Sequence, residues 1–108
     1  FERVLVVCAG NGQGTVFSEE DFAASGAIAA ELTALQPGLE IGEQAQLATM
    51  LNATAEIANA PHAELLRRLG LGGDVEFSVR PNTSLSVPMV VDSGDGWALL
   101  RDSALIRG

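Results

Sequence analysis

The residues best placed to do chemistry lie in and just after a glycine-rich loop. Three glycines occur between residues 10 and 14, directly after an apolar run that ends at Cys8. A loop of this kind, leading from a strand to a helix N-terminus, offers backbone amides and a partial positive charge to an anion. The same glycines would also permit a tight turn without any ligand, and the pattern leaves both interpretations open. In the first, the substrate-binding residues are Gly10, Asn11, Gly12, Gly14 and Thr15.

Two carboxylates, Glu20 and Asp21, follow this loop closely. Mg²⁺ is commonly held by one or two carboxylates together with waters and substrate oxygens. Both residues are therefore candidate metal ligands and catalytic groups. The alternative is that they only provide favourable negative charge in the first turn of a helix.

Cys8 raises the possibility of a thiolate nucleophile. A cysteine phosphatase needs an arginine six residues after the cysteine to hold the phosphoryl oxygens, and that position is Gly14. A nucleotide P-loop needs a lysine, and the chain has none. We expect Cys8 to be a buried strand residue beside the site, and a thiol enzyme that uses Cys8 stays an alternative.

Composition narrows the class of protein. The 108 residues suit one α/β unit with its own core, and 47% of them are hydrophobic. The net charge of −8 disfavours binding to nucleic acid or to an anionic membrane. No apolar stretch approaches the roughly 20 residues of a membrane helix, so we expect a cytoplasmic protein. His62, the single histidine, is more typical of a surface or capping residue than of a metal ligand.

Hydrophobic periodicity and capping signals predict an α/β fold of helices and strands with a C-terminal hairpin, in which the first strand has the pattern of a parallel sheet covered by helices. Strands are predicted at Val4–Val7 and Asp74–Val79. Helices are predicted from an N-cap at Ser18 to about Gln36, from Glu43 to about Ala58, and from Pro61 to Gly70. The hairpin pairs Pro88–Val91 with Trp97–Leu100 around an Asp95-Gly96 turn.

The first predicted helix carries a single charge, Glu31, between Phe22 and Gln36. A helix that is apolar nearly all round is covered on more than one side. The chain also begins at Phe1, only three residues before its most apolar segment. We therefore expect a partner chain or a further part of the same protein to pack here, with the 108 residues forming part of a larger domain.

Two blocks of sequence resemble the 2-phosphosulfolactate phosphatase family. The first is "VLVVCAGNGQGTVFSEEDFAASGAI", and the second, "HAELLRRLGLGGDVEF", begins at His62. Val87-Pro88 is similar to the step that precedes the final hairpin of the family. Ser25, Ala63 and Ser78 depart from the family pattern, in which alanine, glycine and cysteine are usual.

The resemblance implies the C-terminal part of a three-layer α/β enzyme that hydrolyses 2-phospho-3-sulfolactate to 3-sulfolactate and phosphate with Mg²⁺, in coenzyme M or sulfolactate biosynthesis. It also implies an absent N-terminal part that supplies further site residues, and the nucleophile stays open. We expect a homo-oligomer that acts on a small phosphorylated sulfonate or carboxylate. A diverged, non-catalytic association module is the alternative.

Overall fold

The computed structural model describes residues 2–103. In this range five helices precede a two-stranded antiparallel sheet. None of the described helices is long and apolar enough to cross a membrane. The elements in chain order are α1 (Glu19–Leu35), α2 (Glu43–Thr49), α3 (Ala53–Asn59), α4 (Pro61–Arg68), α5 (Gly72–Ser78), β1 (Pro88–Gly94) and β2 (Trp97–Asp102).

Helix α1 confirms the predicted start at Ser18. The buried Ser18 hydroxyl accepts a hydrogen bond from the Asp21 amide at 3.2 Å, which satisfies one of the free amides at the helix start. The acidic residues of the first turn complement the helix dipole. The helix ends at Leu35, two residues before Pro37, close to the predicted end at Gln36.

Helix α1 packs against α2 and α3 of the same chain. The crossing with α2 is close at Gly26, where a Cβ atom would overlap the carbonyl group of Ala48. The small residues of α1 thus allow a tight helix–helix contact. On its other faces Ile28 and Leu35 are exposed.

The prediction of one helix from Glu43 to Ala58 is wrong, because the segment forms two short helices. Helix α2 ends at Thr49, and the Asn52 side chain accepts a hydrogen bond from the Ala55 amide at 3.2 Å to start α3. Asparagine is among the residues most favoured at the N-cap position of a helix. The predicted helix from Pro61 is confirmed as α4, and Gly70 follows it with φ +80°.

The predictions of strands at Val4–Val7 and Asp74–Val79 are both wrong. Residues 74–79 lie mainly in helix α5, which folds back on α4 and buries Val75. Val4–Val7 has no strand partner among the described residues, and its side chains are between 37% and 84% exposed. The predicted parallel, three-layer sheet is therefore not found in residues 2–103, whose fold is a mixed α/β arrangement of helices and one hairpin.

The C-terminal hairpin is confirmed and is longer than predicted. Gly94 pairs with Trp97 across the Asp95-Gly96 turn, in which Gly96 has φ +76° and Asp95 does not have a positive φ, so glycine stands at the central position that needs positive φ in a type II turn. The register shifts between Val90 and Asp92. Apolar side chains on both faces of this hairpin are exposed.

The core of the described residues is small. Its buried hydrophobic residues are Ala23, Ala48, Ala60, Ala63 and Val75, and no large side chain in this range is fully buried. A core of this kind contributes little hydrophobic stabilisation, which scales with the apolar area removed from water.

Candidate active site

The glycine-rich loop folds on itself through its backbone. Asn11 and Val16 exchange two hydrogen bonds of 2.8 and 3.0 Å, and the residues between them form a tight turn. Gly10, Gly12, Gln13 and Gly14 all have positive φ angles. At Gly10 (φ +73°) a Cβ atom would lie 2.9 Å from the Val16 carbonyl oxygen, so this position needs glycine on both steric and conformational grounds.

Asp21 fixes this loop to the start of α1. Its Oδ2 atom accepts a hydrogen bond of 2.7 Å from the Gly10 amide, while its own amide is held by Ser18. A hydrogen bond to an ionised carboxylate is stronger than one between neutral groups. The predicted proximity of the loop to the carboxylates is thus present, and Asp21 holds the two elements together.

Most backbone amides of the loop donate hydrogen bonds to acceptors within the loop. Those of Asn11, Gly14 and Thr15 donate within the loop, and the Thr15 hydroxyl donates to the Gly12 carbonyl at 2.6 Å. Among residues 2–103 the amides of Gly12 and Gln13 have no acceptor. The predicted anion site therefore has two loop amides to offer, fewer than the spacing of the glycines suggested.

Glu20 lies on a different side of the helix from Asp21. Consecutive helical residues project about 100° apart, and the Glu20 Oε1 atom faces Nδ1 of His62 at 3.8 Å. The two side chains border a cavity of about 160 Å³ between α1, α3, α4 and α5. Ala63, Leu66, Val75 and Ser78 also line it, so this cavity brings together residues of the two sequence blocks.

His62 is the residue that the sequence did not identify as part of a site. Its position next to Pro61, at the start of α4, indicated only a capping or surface role. The contact with Glu20 depends on how α4 lies against α1, and no local pattern gives that arrangement. Its membership of the second sequence block was the available signal.

The residues around the loop fit a Mg²⁺ site in which waters and phosphate oxygens supply most of the ligands. The part of the chain that the structure describes has no group of three or more His, Cys, Asp or Glu side chains able to enclose a metal ion. Mg²⁺ needs only one or two carboxylates when waters and phosphate oxygens complete its shell. Asp21 suits this role because the Gly10 amide orients one carboxylate oxygen, as a neighbouring donor orients ligands in metal sites.

The prediction that Cys8 is a buried strand residue is wrong. The thiol is free and exposed, and residues 2–9 form no strand. Cys8 lines a groove of about 1010 Å³ together with Phe22 and Ser25 of α1 and with parts of residues 2–6 and 36–45. The segment is exposed because no strand pairs with it among residues 2–103.

A glycine-rich loop that leads to a helix N-terminus binds anions in some other proteins. The family model described as 2-phosphosulpholactate phosphatase matches residues 1–93. The chain belongs to the 2-phosphosulpholactate phosphatase family, as the two sequence blocks indicated, and thus to a family of phosphatases. No curated protein and no solved structure matches the chain.

Proposed function

We propose that the protein is a Mg²⁺-dependent phosphatase that hydrolyses 2-phospho-3-sulfolactate to 3-sulfolactate and phosphate. The observation that carries this proposal is the family match over residues 1–93. The loop anchored to α1 supports it, because phosphate-ester hydrolysis needs a preorganised site for the phosphoryl oxygens. The reaction would serve coenzyme M or sulfolactate biosynthesis in the cytoplasm.

In this proposal the loop and the helix start bind the phosphoryl group. The unpaired amides of Gly12 and Gln13 would donate to its oxygens, and Asp21 would keep the loop in place through Gly10. Asp21 would also hold Mg²⁺, which supplies charge neutralisation when bound. Water is the nucleophile that the described residues favour, because Cys8 makes no hydrogen bond to any of them that could activate it.

The charge of the chain favours a second chain at the site. The substrate carries phosphate, carboxylate and sulfonate groups, whereas the protein has a net charge of −8. Arg67 and Arg68 are paired with Glu64, and within residues 2–103 no arginine forms an ion pair or hydrogen bond with the glycine loop, Glu20 or Asp21. We propose that arginines of a second copy, or of a further part of the protein, meet the sulfonate and carboxylate.

The exposed surface supports association with a second copy. The chain exposes 8703 Å², whereas a compact monomer of 11.2 kDa exposes about 5,700 Å². The excess of about 3,000 Å² on one chain is several times the roughly 800 Å² that each partner contributes to a standard interface, so the chain has ample surface for a partner. Large apolar side chains of the hairpin and of residues 4–7 contribute to this surface.

The direct test is phosphate release by the intact protein from 2-phospho-3-sulfolactate. We expect turnover that requires Mg²⁺ and stops when the metal is chelated. The matched control substrate is 2-phospholactate, which lacks the sulfonate, and we expect it to be hydrolysed less efficiently. The absence of turnover with Mg²⁺ present, for a protein shown to be folded, would refute the proposal.

A further inference from the structure

The extended segment of residues 3–8 has the properties of a β-strand that lacks a neighbour. Within residues 2–103 no backbone group of this segment makes a hydrogen bond. Val4 and Val6 are 46% and 37% exposed, whereas Leu5 and Val7, which alternate with them, are 84% and 78% exposed. A period of two is the geometry of a strand, so the segment is already shaped to pair with one.

The C-terminal hairpin is a second element without a partner among the described residues. All residues of β1 and all but the last of β2 are exposed, and none of them lines the groove of about 1010 Å³ beside residues 2–6. Trp97 and Leu99 lie on one face of the hairpin and Leu100 on the other, and all three are exposed. A hairpin of two strands is only marginally stable alone in water, so this one needs a third strand or a surface to pack against.

The two edges of the hairpin differ in their ability to accept another strand. Strand β1 begins at Pro88, which has no N–H group, and its register shifts near the middle. Prolines and bulges both hinder pairing at the edge of a sheet, and β2 contains neither. Trp97 closes the turn opposite Gly94, and successive residues of an antiparallel strand bond in opposite directions. The Ala98 amide therefore faces the outer edge of β2.

We propose that in a dimer of this chain the outer edge of β2 of each copy pairs with residues 3–8 of the other copy. Every copy has both elements, so one two-fold arrangement gives each of them a partner and leaves neither unpaired. Addition of a strand to an open edge is a recurring mode of protein recognition. The excess exposed surface of about 3,000 Å² per chain exceeds the roughly 800 Å² that each partner gives to a standard interface. This inference rests on the association that is part of the proposed function, and not on the catalytic activity.

The proposed contact is apolar rather than ionic. Most residues of the segment and of β2 are hydrophobic, and each copy has a net charge of −8. Two copies therefore repel each other at low ionic strength, and salt screens this repulsion. We expect the dissociation constant of the dimer to fall as sodium chloride is raised, and a rise would contradict a contact of this kind.

Proline at residue 98 tests the pairing edge, because it removes the outward amide of β2 and leaves the bonds between β1 and β2 in place. We expect Ala98→Pro to raise the dissociation constant at least about 30-fold, since the dimer has two such edges and each loses a hydrogen bond. Ala98→Val is the matched control, because it keeps the amide and favours a strand, and it should associate like the wild type. Sedimentation equilibrium measures all three.

Cys8, the single cysteine of the chain and an exposed one, allows the contact to be located. Wild-type protein is mixed with Cys8→Ser/Ala98→Cys or with Cys8→Ser/Arg101→Cys, and a short bis-maleimide links neighbouring thiols. Each chain has one cysteine, so a peptide that joins residue 8 to residue 98 or 101 connects two copies. We expect a link to residue 98 for antiparallel pairing or to residue 101 for parallel pairing. Cys8→Ser/Glu56→Cys, with the new thiol on the exposed surface of α3, is the control and should give no link.

The outcomes separate this inference from the proposed function. A wild-type chain that stays monomeric would refute the inference together with the association, and would leave a further part of the protein to cover these strands. An associating wild type in which neither link forms, or in which Ala98→Pro binds as tightly as Ala98→Val, would overturn the inference alone. If circular dichroism shows that Ala98→Pro does not fold, the two links decide. Absence of phosphate release would refute the proposed activity and leave the strand pairing unaffected.

Discussion

The contact between Gly26 of α1 and Ala48 of α2 gives a quantitative test of how α1 is held. A Cβ atom at Gly26 would overlap the carbonyl oxygen and carbon of Ala48, and would lie 3.1 Å from the Ala48 Cβ atom. The overlapped atoms belong to the backbone, so no change of rotamer can relieve the overlap. Gly26→Ala must therefore move one helix away from the other.

Two opposing contributions set the change in the free energy of unfolding that Gly26→Ala should cause. Overpacking in a well-packed region costs about 1–3 kcal/mol, and a backbone overlap belongs in the upper part of that range. Alanine in place of glycine in a helix recovers about 1 kcal/mol through helix propensity. We expect a net loss of about 1–2 kcal/mol, which lowers Tm by about 5–15 °C for a chain of this size.

Gly73→Ala is the matched control, because Gly73 lies in α5 and a Cβ atom added there would meet no other atom within 4 Å. The propensity term acts there without the overlap, so this variant should be slightly more stable than the wild type. Urea and thermal unfolding followed by far-ultraviolet circular dichroism measure both changes, because the signal comes mainly from the helices. If Gly26→Ala is as stable as Gly73→Ala, α1 and α2 do not cross at Gly26.

Four further predictions concern the loop, the metal, the thiol and association. Asp21→Asn keeps an oxygen acceptor for the Gly10 amide but loses the charge, so it should weaken Mg²⁺ activation at least about 10-fold with little change in Tm; equal Mg²⁺ dependence in variant and wild type would contradict the assigned ligand. Gly10→Ala should cost about 1–2 kcal/mol from its φ angle alone, measured by urea unfolding against Gly38→Ala, whose added Cβ meets nothing within 4 Å. Cys8→Ser should retain turnover in the phosphate-release assay, and a loss of more than about 10³-fold would instead support a thiol nucleophile. Light scattering after size-exclusion chromatography should show a dimer or larger assembly of the 108-residue chain, and a stable monomer would refute association between copies of this chain.

The sequence predicted those elements whose signals are local. The Ser18 cap, the proline at the start of α4 and the Asp95-Gly96 turn each follow from the stereochemistry of a few neighbouring residues. The strands at Val4–Val7 and Asp74–Val79 were not predictable in this way, because a strand is stable only beside another strand. With no strand beside the first segment and α4 beside the second, neither forms a sheet in the described residues.

For the candidate site too, the sequence predicted the contacts between residues that are close in the chain and missed the contact between distant ones. The glycine loop and its contact with Asp21 involve residues 10–21, which are close in sequence, so their proximity could be predicted. The contact of Glu20 with His62 joins residues 42 positions apart, and it depends on α3, which contacts both α1 and α4 and so sets their arrangement. A lone histidine without that packing information is indistinguishable from a surface residue.

The helical geometry of α1 gives its two adjacent carboxylates different contacts. Because consecutive residues project in different directions, Asp21 reaches back to the loop while Glu20 reaches across to His62. The sequence suggested these two residues as joint ligands of one metal ion, and that prediction is open to a test with double variants. We expect Glu20→Gln and Asp21→Asn to act independently of each other, because each carboxylate has its own partner. Their effects on the rate should then be close to additive in free energy, whereas two ligands of one ion would show strong coupling.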